Sequence, residues 1–253
     1  MRRMAREGVI QVATGNRHQD EAILSVERIR PCLNGRPIIL VTDNPERIPL
    51  GLYDRVIIHP EPQESYRDKI LPLLHLPYKR TLFLDTDVEI LSPIDDVFEI
   101  LKTIDFVGCH APVRWSDWKS ESVPEGFTEI NSGVLGMRSC SRQRSLVKQW
   151  LKLYDSIGIK FDQAALREAL WWSVNQRGLR MWVLPPEYNL RTPKPWLTGA
   201  GISVKILHGR LPEEKRKSLR NYLNNNVKDF RSSSECNTGQ NQEILPYSFK
   251  SNL

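Results

Sequence analysis

Thr81-Leu82-Phe83-Leu84-Asp85-Thr86-Asp87-Val88-Glu89 joins an unbroken apolar run to a set of acids. The apolar half is too greasy to face water on either side, which reads as a strand buried within a sheet. The acids begin where such a strand leaves the core. Side chains at i and i+2 of an extended chain point the same way, so Asp85 and Asp87 converge on one point while Thr86 faces elsewhere. Two carboxylates at a sheet's edge attract a divalent cation. Hard oxygen ligands in this number suit Mg²⁺ or Mn²⁺ shared with a diphosphate rather than an all-protein calcium cage. An Asp-x-Asp triplet alone is equally the mark of a hydrated turn, and the buried strand in front of it supplies the context that a short motif needs.

Further strands are predicted at Val9–Ala13, Pro37–Val41, Arg55–Ile58 and Asp105–Gly108, with Ala22, Ile23, Val26 and Ile29 at helical spacing between the first two. Strand, helix, strand is the α/β signature, in which ligands sit beyond the carboxyl ends of the strands. Beyond residue 110 the pattern is mixed. A polar stretch leads to a strand at Ile130–Met137, helices at Arg142–Tyr154 and Asp162–Gln176, a strand at Met181–Leu184 and a proline-rich loop, Pro185–Pro195. A strand at Ser203–Leu207 and a basic helix, Leu211–Leu223, follow. The expected division is one catalytic domain over 1–223 and a loosely ordered polar tail over 224–253, rich in Asn, Ser and Gln.

Several segments, in order, resemble one family: nucleotide-sugar-dependent glycosyltransferases of the GT-A type, particularly the glycogenin-like and lipopolysaccharide galactosyltransferase-like group. Lys69-Ile70-Leu71-Pro72-Leu73-Leu74 and Leu76-Pro77-Tyr78-Lys79-Arg80 look like that group's lysine-bearing helix and the turn into its Asp-x-Asp strand. Ile130-Asn131-Ser132-Gly133-Val134-Leu135 is similar to its Asn-Ser-Gly strand, Phe161-Asp162-Gln163 to its Asp-Gln helix start, and Leu207-His208-Gly209 to its metal-binding histidine. The likeness covers about residues 8 to 210. It implies an α/β GT-A fold, a mixed, mostly parallel sheet flanked by helices, and transfer of a hexose from a nucleotide diphosphate sugar with retention. The acceptor, carbohydrate, lipid-linked or protein, is left open.

The resemblance also implies residue roles. Asp85, Asp87 and His208 would hold the metal, and an imidazole beside two carboxylates favours Mn²⁺ over Mg²⁺; a satisfied core histidine is the other explanation of His208. Lys69 would add a point charge for phosphates or a sugar hydroxyl. Asn131 and Ser132 would face the donor sugar, and Gly133 would let the backbone approach it closely, although a glycine there also suits a tight strand bend. Asp162 and Gln163 would lie at the reacting carbon; a plain helix N-cap is the other explanation of Asp162. Thr14 and Asn16, in the turn after the first strand, and Asp43, at the end of the second, are placed for the nucleotide base. The group's histidine normally opens a His-x-x-Gly-x-x-Lys-Pro-Trp segment. Here glycine follows at once and no such lysine comes after, so Arg210 is the substitute for phosphate clamping. Trp115 and Trp118, in a polar loop, are expected to line the acceptor site, whereas Trp150, Trp171, Trp172 and Trp182 read as packing residues.

The chain has 253 residues with 40% hydrophobic and 26% charged, which excludes disorder and fibre classes. No run of eighteen apolar residues and no apolar leader with a cleavage site stands out, and four cysteines lie far apart. A cytoplasmic protein with reduced thiols is the expectation. Net charge is +6, and residues 205–231 hold eight basic residues against three acidic ones, so nearly the whole excess is one local patch. That argues against a nucleic-acid surface and for peripheral contact with an anionic surface or a merely solvated helix face. Two other readings remain. Leu82–Val88 also looks like the nucleophile strand of haloacid-dehalogenase-type phosphatases, although some eighty residues precede it and no downstream Gly-Asp-x-x-x-Asp segment is present. A non-catalytic protein binding anionic surfaces through the basic helix is the third.

Overall fold

The computed structural model describes residues 6–111, 120–158, 160–192 and 203–232, with the backbone alone over 224–232. The first half of the chain contains β1 (Glu7–Ala13), α1 (Asn16–Ile29), β2 (Ile38–Thr42), β3 (Arg55–Ile58), the short α2 (Arg67–Ile70), β4 (Arg80–Leu84), β5 (Val88–Ile90), α3 (Asp95–Ile100) and β6 (Phe106–His110). The second contains β7 (Ile130–Arg138), α4 (Ser141–Ile157), α5 (Gln163–Arg177), β8 (Met181–Leu184), β9 (Leu190–Arg191), β10 (Ile206–His208) and α6 (Glu213–Ser232). Helices α4 and α5 stop at Gly158 and Gly178, both in the left-handed conformation that glycine adopts without steric cost.

Seven strands form one sheet in the order β3-β2-β1-β4-β7-β6-β8. All run parallel except β7, which is antiparallel to both β4 and β6. β4 is central and buried on both faces. Leu82 and Leu84 join the hydrophobic cluster under α1 and α3, while Phe83 joins the cluster under α4 and α5. A strand covered on both sides has to be apolar at every position, which is why Thr81–Leu84 lacks the polar alternation of a half-exposed strand. β8 is at the sheet edge, and Trp182 on it is 57% exposed, so this tryptophan is not the packing residue its apolar neighbours suggest. Trp150 is fully buried.

The order β2-β1-β4 makes the space beyond β1 and β4 the point where successive connections depart in opposite directions. A crevice opens there at the carboxyl ends of the strands. In a second, three-stranded sheet, β5-β10-β9, β10 is antiparallel to β5 and parallel to β9.

α6 begins within the predicted basic helix and continues to Ser232, past the expected start of the polar tail. Its charges are not all solvated. Arg216 is 2% exposed, donates to the Gly209 carbonyl at 2.6 Å and pairs with the buried Glu89 at 3.4 Å. Arg220 pairs with the same carboxylate at 2.6 Å. The patch expected to meet an anionic surface is thus reduced, because the buried acid of β5 draws two arginines inward. Lys215 and Lys217 remain exposed. No helix among the described residues is long and apolar enough to cross a membrane.

Candidate active site at the carboxyl ends of β1 and β4

The small sheet assembles the acids and the histidine. β4 ends at Leu84, Asp85 donates its backbone N–H to the Gly133 carbonyl at 2.8 Å, and Asp87 accepts from the Gly209 N–H at 3.0 Å. These backbone bonds bring the two aspartates beside His208, at the end of β10. One ligating atom from each of Asp85, Asp87 and His208 lies within 4.8 Å of the others. His208 Nε2 is 3.1 Å from Asp87 Oδ1 and 3.8 Å from Asp85 Oδ2.

The orientation of the imidazole follows from a directed chain of amides. Gln163 Nε2 donates to the Glu129 carboxylate at 3.2 Å, Asn131 Nδ2 donates to Gln163 Oε1 at 2.6 Å, and Asn189 Nδ2 donates to Asn131 Oδ1 at 2.9 Å. Asn189 Oδ1 therefore faces His208 Nδ1, at 2.7 Å, and accepts its proton. A carboxylate accepts only, so Glu129 polarises the whole row. The tautomer that results carries its lone pair on Nε2, aimed at two carboxylate oxygens. The Arg191 guanidinium meets that lone pair at 2.6 Å, and two carboxylates with a neutral imidazole, oriented by an amide behind it, are a suitable donor set for a divalent ion. The residues present fit a divalent cation.

Asp87 is buried. Burial opposes its ionisation, but the guanidinium groups of Arg210 and Arg191 hold its carboxyl below the usual range. Arg210 lies 3.8 Å from Asp87 and 2.7 Å from Glu21, whose own carboxyl is lowered to about 2: burial acts against this, and bonds from His18, Arg210 and Thr86 prevail.

Behind Asp85 lies a buried ion pair. Lys69 Nζ donates to Ser132 Oγ at 2.9 Å and sits 3.2 Å from Asp162 and 3.7 Å from Asp85. Ser132 Oγ donates in turn to Asp162 at 3.1 Å. Burial pushes the Asp162 carboxyl up against the pull of Lys69, whereas the Lys69 ammonium is raised, since Asp162 and Asp85 overcome its desolvation. Asp162 stands at the N-cap of α5 but makes no side-chain capping bond, so capping does not explain it.

A cleft of about 620 Å³ runs over this assembly. Of the sequence candidates, Thr14, Lys69, Asp85, Asp87, Asn131, Ser132, Asp162, Gln163 and Arg210 line it. His208 lies beneath its floor, 1% exposed. Asn16 and Asp43 do not line it. Asn16 is exposed at the start of α1, and the Asp43 carboxylate accepts from the Gly15 N–H at 3.2 Å and from Gln19 Nε2 at 2.6 Å, which braces the turn instead. Trp115 and Trp118 lie outside the described residues. Residues that sequence reasoning missed are Asn189 and Arg191, on either side of Leu190 and both against His208, and Glu129 at the end of the amide row. The alternation Asn189-Leu190-Arg191 has the same form as Asp85-Thr86-Asp87, but it is hidden in the proline-rich stretch.

Gly133 also differs from expectation. A Cβ there would meet His208 Cε1 at 2.2 Å and Asp85 Oδ2 at 2.6 Å, so the glycine leaves room for the ligand cluster rather than for a close approach to a sugar. Gly133→Ala is therefore expected to weaken Mn²⁺ binding by about tenfold or more while costing about 1–3 kcal/mol of stability, the usual range for overpacking. A titration of free Mn²⁺ followed by electron paramagnetic resonance checks this, and unaltered affinity would show that the cluster tolerates displacement.

A mostly parallel seven-stranded sheet with one reversed strand, flanked by helices, has the GT-A fold. Among solved structures, the chain is similar to mouse xyloside xylosyltransferase 1 in its apo form, with a TM-score of 0.52 and 15% sequence identity over 82% of this chain and 100% of that one. That likeness is one of fold. No protein-family model and no curated protein sequence matches the chain.

Proposed function

We propose that this protein is a metal-dependent glycosyltransferase that moves a hexose from a nucleotide diphosphate sugar to a carbohydrate, lipid-linked or protein acceptor, with retention as in the group it resembles. The observation that carries the reading is the convergence of Asp85, Asp87 and His208 around Gly133 at the floor of a cleft walled by Lys69 and Arg210. Those three side chains would hold Mn²⁺ or Mg²⁺. When bound there, such an ion acts as a Lewis acid that neutralises charge growing on the departing nucleoside diphosphate.

The chain's own groups do the rest. Arg210 presents positive charge to the same phosphates, and Lys69 keeps Asp85 and Asp162 in place while contributing charge to the cleft wall. The Thr14 hydroxyl donates to Asp68 at 2.6 Å, which steadies the turn on which the base would rest. Gln163 and Asn131 border the sugar's position and hold the amide row in register. Asp162 is held by the Lys69 ammonium at 3.2 Å and the Ser132 hydroxyl at 3.1 Å.

A thermal-shift panel of nucleotide sugars, with and without Mn²⁺, tests the reading. One donor is expected to raise Tm only with the metal, by roughly 5–10 °C at a hundredfold excess over Kd, since a ligand at that level stabilises by about 2.7 kcal/mol and each kcal/mol is about 2–4 °C in a chain of this size. No response to any donor would overturn it, as would metal-dependent hydrolysis of simple phosphomonoesters without nucleotide.

A further inference from the structure

Arg191 makes an unusual contact for a guanidinium. β9 pairs in parallel with β10 so that Arg191 lies opposite His208, and residues in register on adjacent strands point to the same face. Arg191 Nη1 reaches His208 Nε2 at 2.6 Å. Arginine only donates, so Nε2 is the acceptor here, in agreement with the tautomer set by Asn189. That nitrogen has one lone pair and serves one partner at a time. It accepts from Arg191 or it coordinates a cation.

A second observation concerns what else holds Arg191. Of the cleft-lining arginines, Arg17 and Arg210 both pair with Glu21, whereas Arg191 has no carboxylate within ion-pair distance among the described residues. It is spent on a neutral ring nitrogen, a far weaker partner for a guanidinium than a phosphate oxygen. A third is that no Lys-Pro-Trp segment follows His208, so the phosphate-clamping lysine of the group resembled has no counterpart there.

We propose that Arg191 works in two positions. Before metal binding it caps His208 Nε2 and screens Asp87. When His208 turns its lone pair to a divalent ion, Arg191 leaves that nitrogen and, with the open cleft before it, engages the diphosphate of the donor. This rests on the metal-dependent transferase reading above and names the residue that couples its two ligands: metal and diphosphate bind in sequence because one side chain has to leave the first site to complete the second.

The test is a pair of affinities expected to move in opposite directions. In Arg191→Met, Mn²⁺ alone, titrated by electron paramagnetic resonance, is expected to bind roughly tenfold tighter, because a competing charge-assisted hydrogen bond is gone. Inorganic pyrophosphate, added as its manganese complex and followed by calorimetry, is expected to bind roughly tenfold weaker. A residue with a merely structural role would weaken both. Arg191→Lys, which keeps a charge but not the planar fork, is expected to fall between, and it decides the same comparison should the methionine variant fail to melt cooperatively. Equal or weaker Mn²⁺ binding, or unchanged pyrophosphate binding, would overturn the proposal. Wild-type protein that binds no Mn²⁺ at all would overturn the metal-dependent reading first, and that result is recognisable without any variant.

Discussion

Replacing Asp87 with asparagine is expected to abolish the manganese-dependent rise in Tm with the preferred nucleotide sugar and to lower kcat/KM for transfer by at least about a hundredfold. Loss of a residue that only supports a metal ligand already costs about 10–100-fold in metal affinity or activity, and Asp87 is placed as a ligand itself. The substitution changes charge and little else. Its volume is almost unchanged, and the backbone bond from the Gly209 N–H to the Asp87 carbonyl remains. What is lost is an ionised oxygen that Arg210 and Arg191 keep deprotonated against its burial. The amide can also turn its NH₂ toward His208 Nε2 and occupy the lone pair that a cation needs. Melting curves of the variant with the donor, with and without Mn²⁺, are the measurement. A variant that responds as the wild type does would remove Asp87 from the site.

Lys69→Met is expected to cost about 3–5 kcal/mol of stability, the range for breaking a buried ion pair by removing one partner. At about 2–4 °C for each kcal/mol, this lowers Tm by roughly 10 °C. The physical reason is asymmetric. Asp162 is 1% exposed and cannot recover water when the ammonium is taken away, so an uncompensated charge stays buried or takes up a proton. The second variant, Asp162→Asn, separates the pair energy from loss of lysine packing. The double variant Lys69→Met with Asp162→Asn is expected to be more stable than Lys69→Met alone, since it removes both charges together. Additive losses in this cycle would show that the two side chains do not depend on each other. Urea titrations with a common slope supply the free energies.

Much of the frame is legible in the residues. The central strand can be read because a strand buried on both faces must be apolar at successive positions, and Thr81–Leu84 is. Strand alternation predicts that Asp85 and Asp87 converge, but both stand in the turn between β4 and β5, where backbone bonds to Gly133 and Gly209 bring them together. Asp162 is legible as a helix start but not in its role, since whether its carboxylate caps α5 or pairs with Lys69 depends on α2, some ninety residues earlier in the chain. Gly133 is legible as a glycine in a strand. Only its neighbours, His208 and Asp85, show what its missing side chain makes room for. The basic stretch 205–231 appears as one charged face because Glu89 is far away in sequence, yet Arg216 and Arg220 turn inward to meet it. Asn16 and Asp43 stand at strand ends, as expected, but outside the cleft, because strand order alone does not tell which side of a turn faces the ligand.

By itself, then, the amino-acid order determines the α/β alternation, the buried β4 and the acidic pair at its end, all of which follow from local periodicity and hydrophobic burial. Tertiary structure alone decides that Asn189, Arg191 and Glu129 belong with His208, because these pairings are set by the register of the two-residue strand β9 against β10 and by an amide row crossing four segments of the chain. Contacts between strands carry no period along the sequence. They exist only once the sheet has closed.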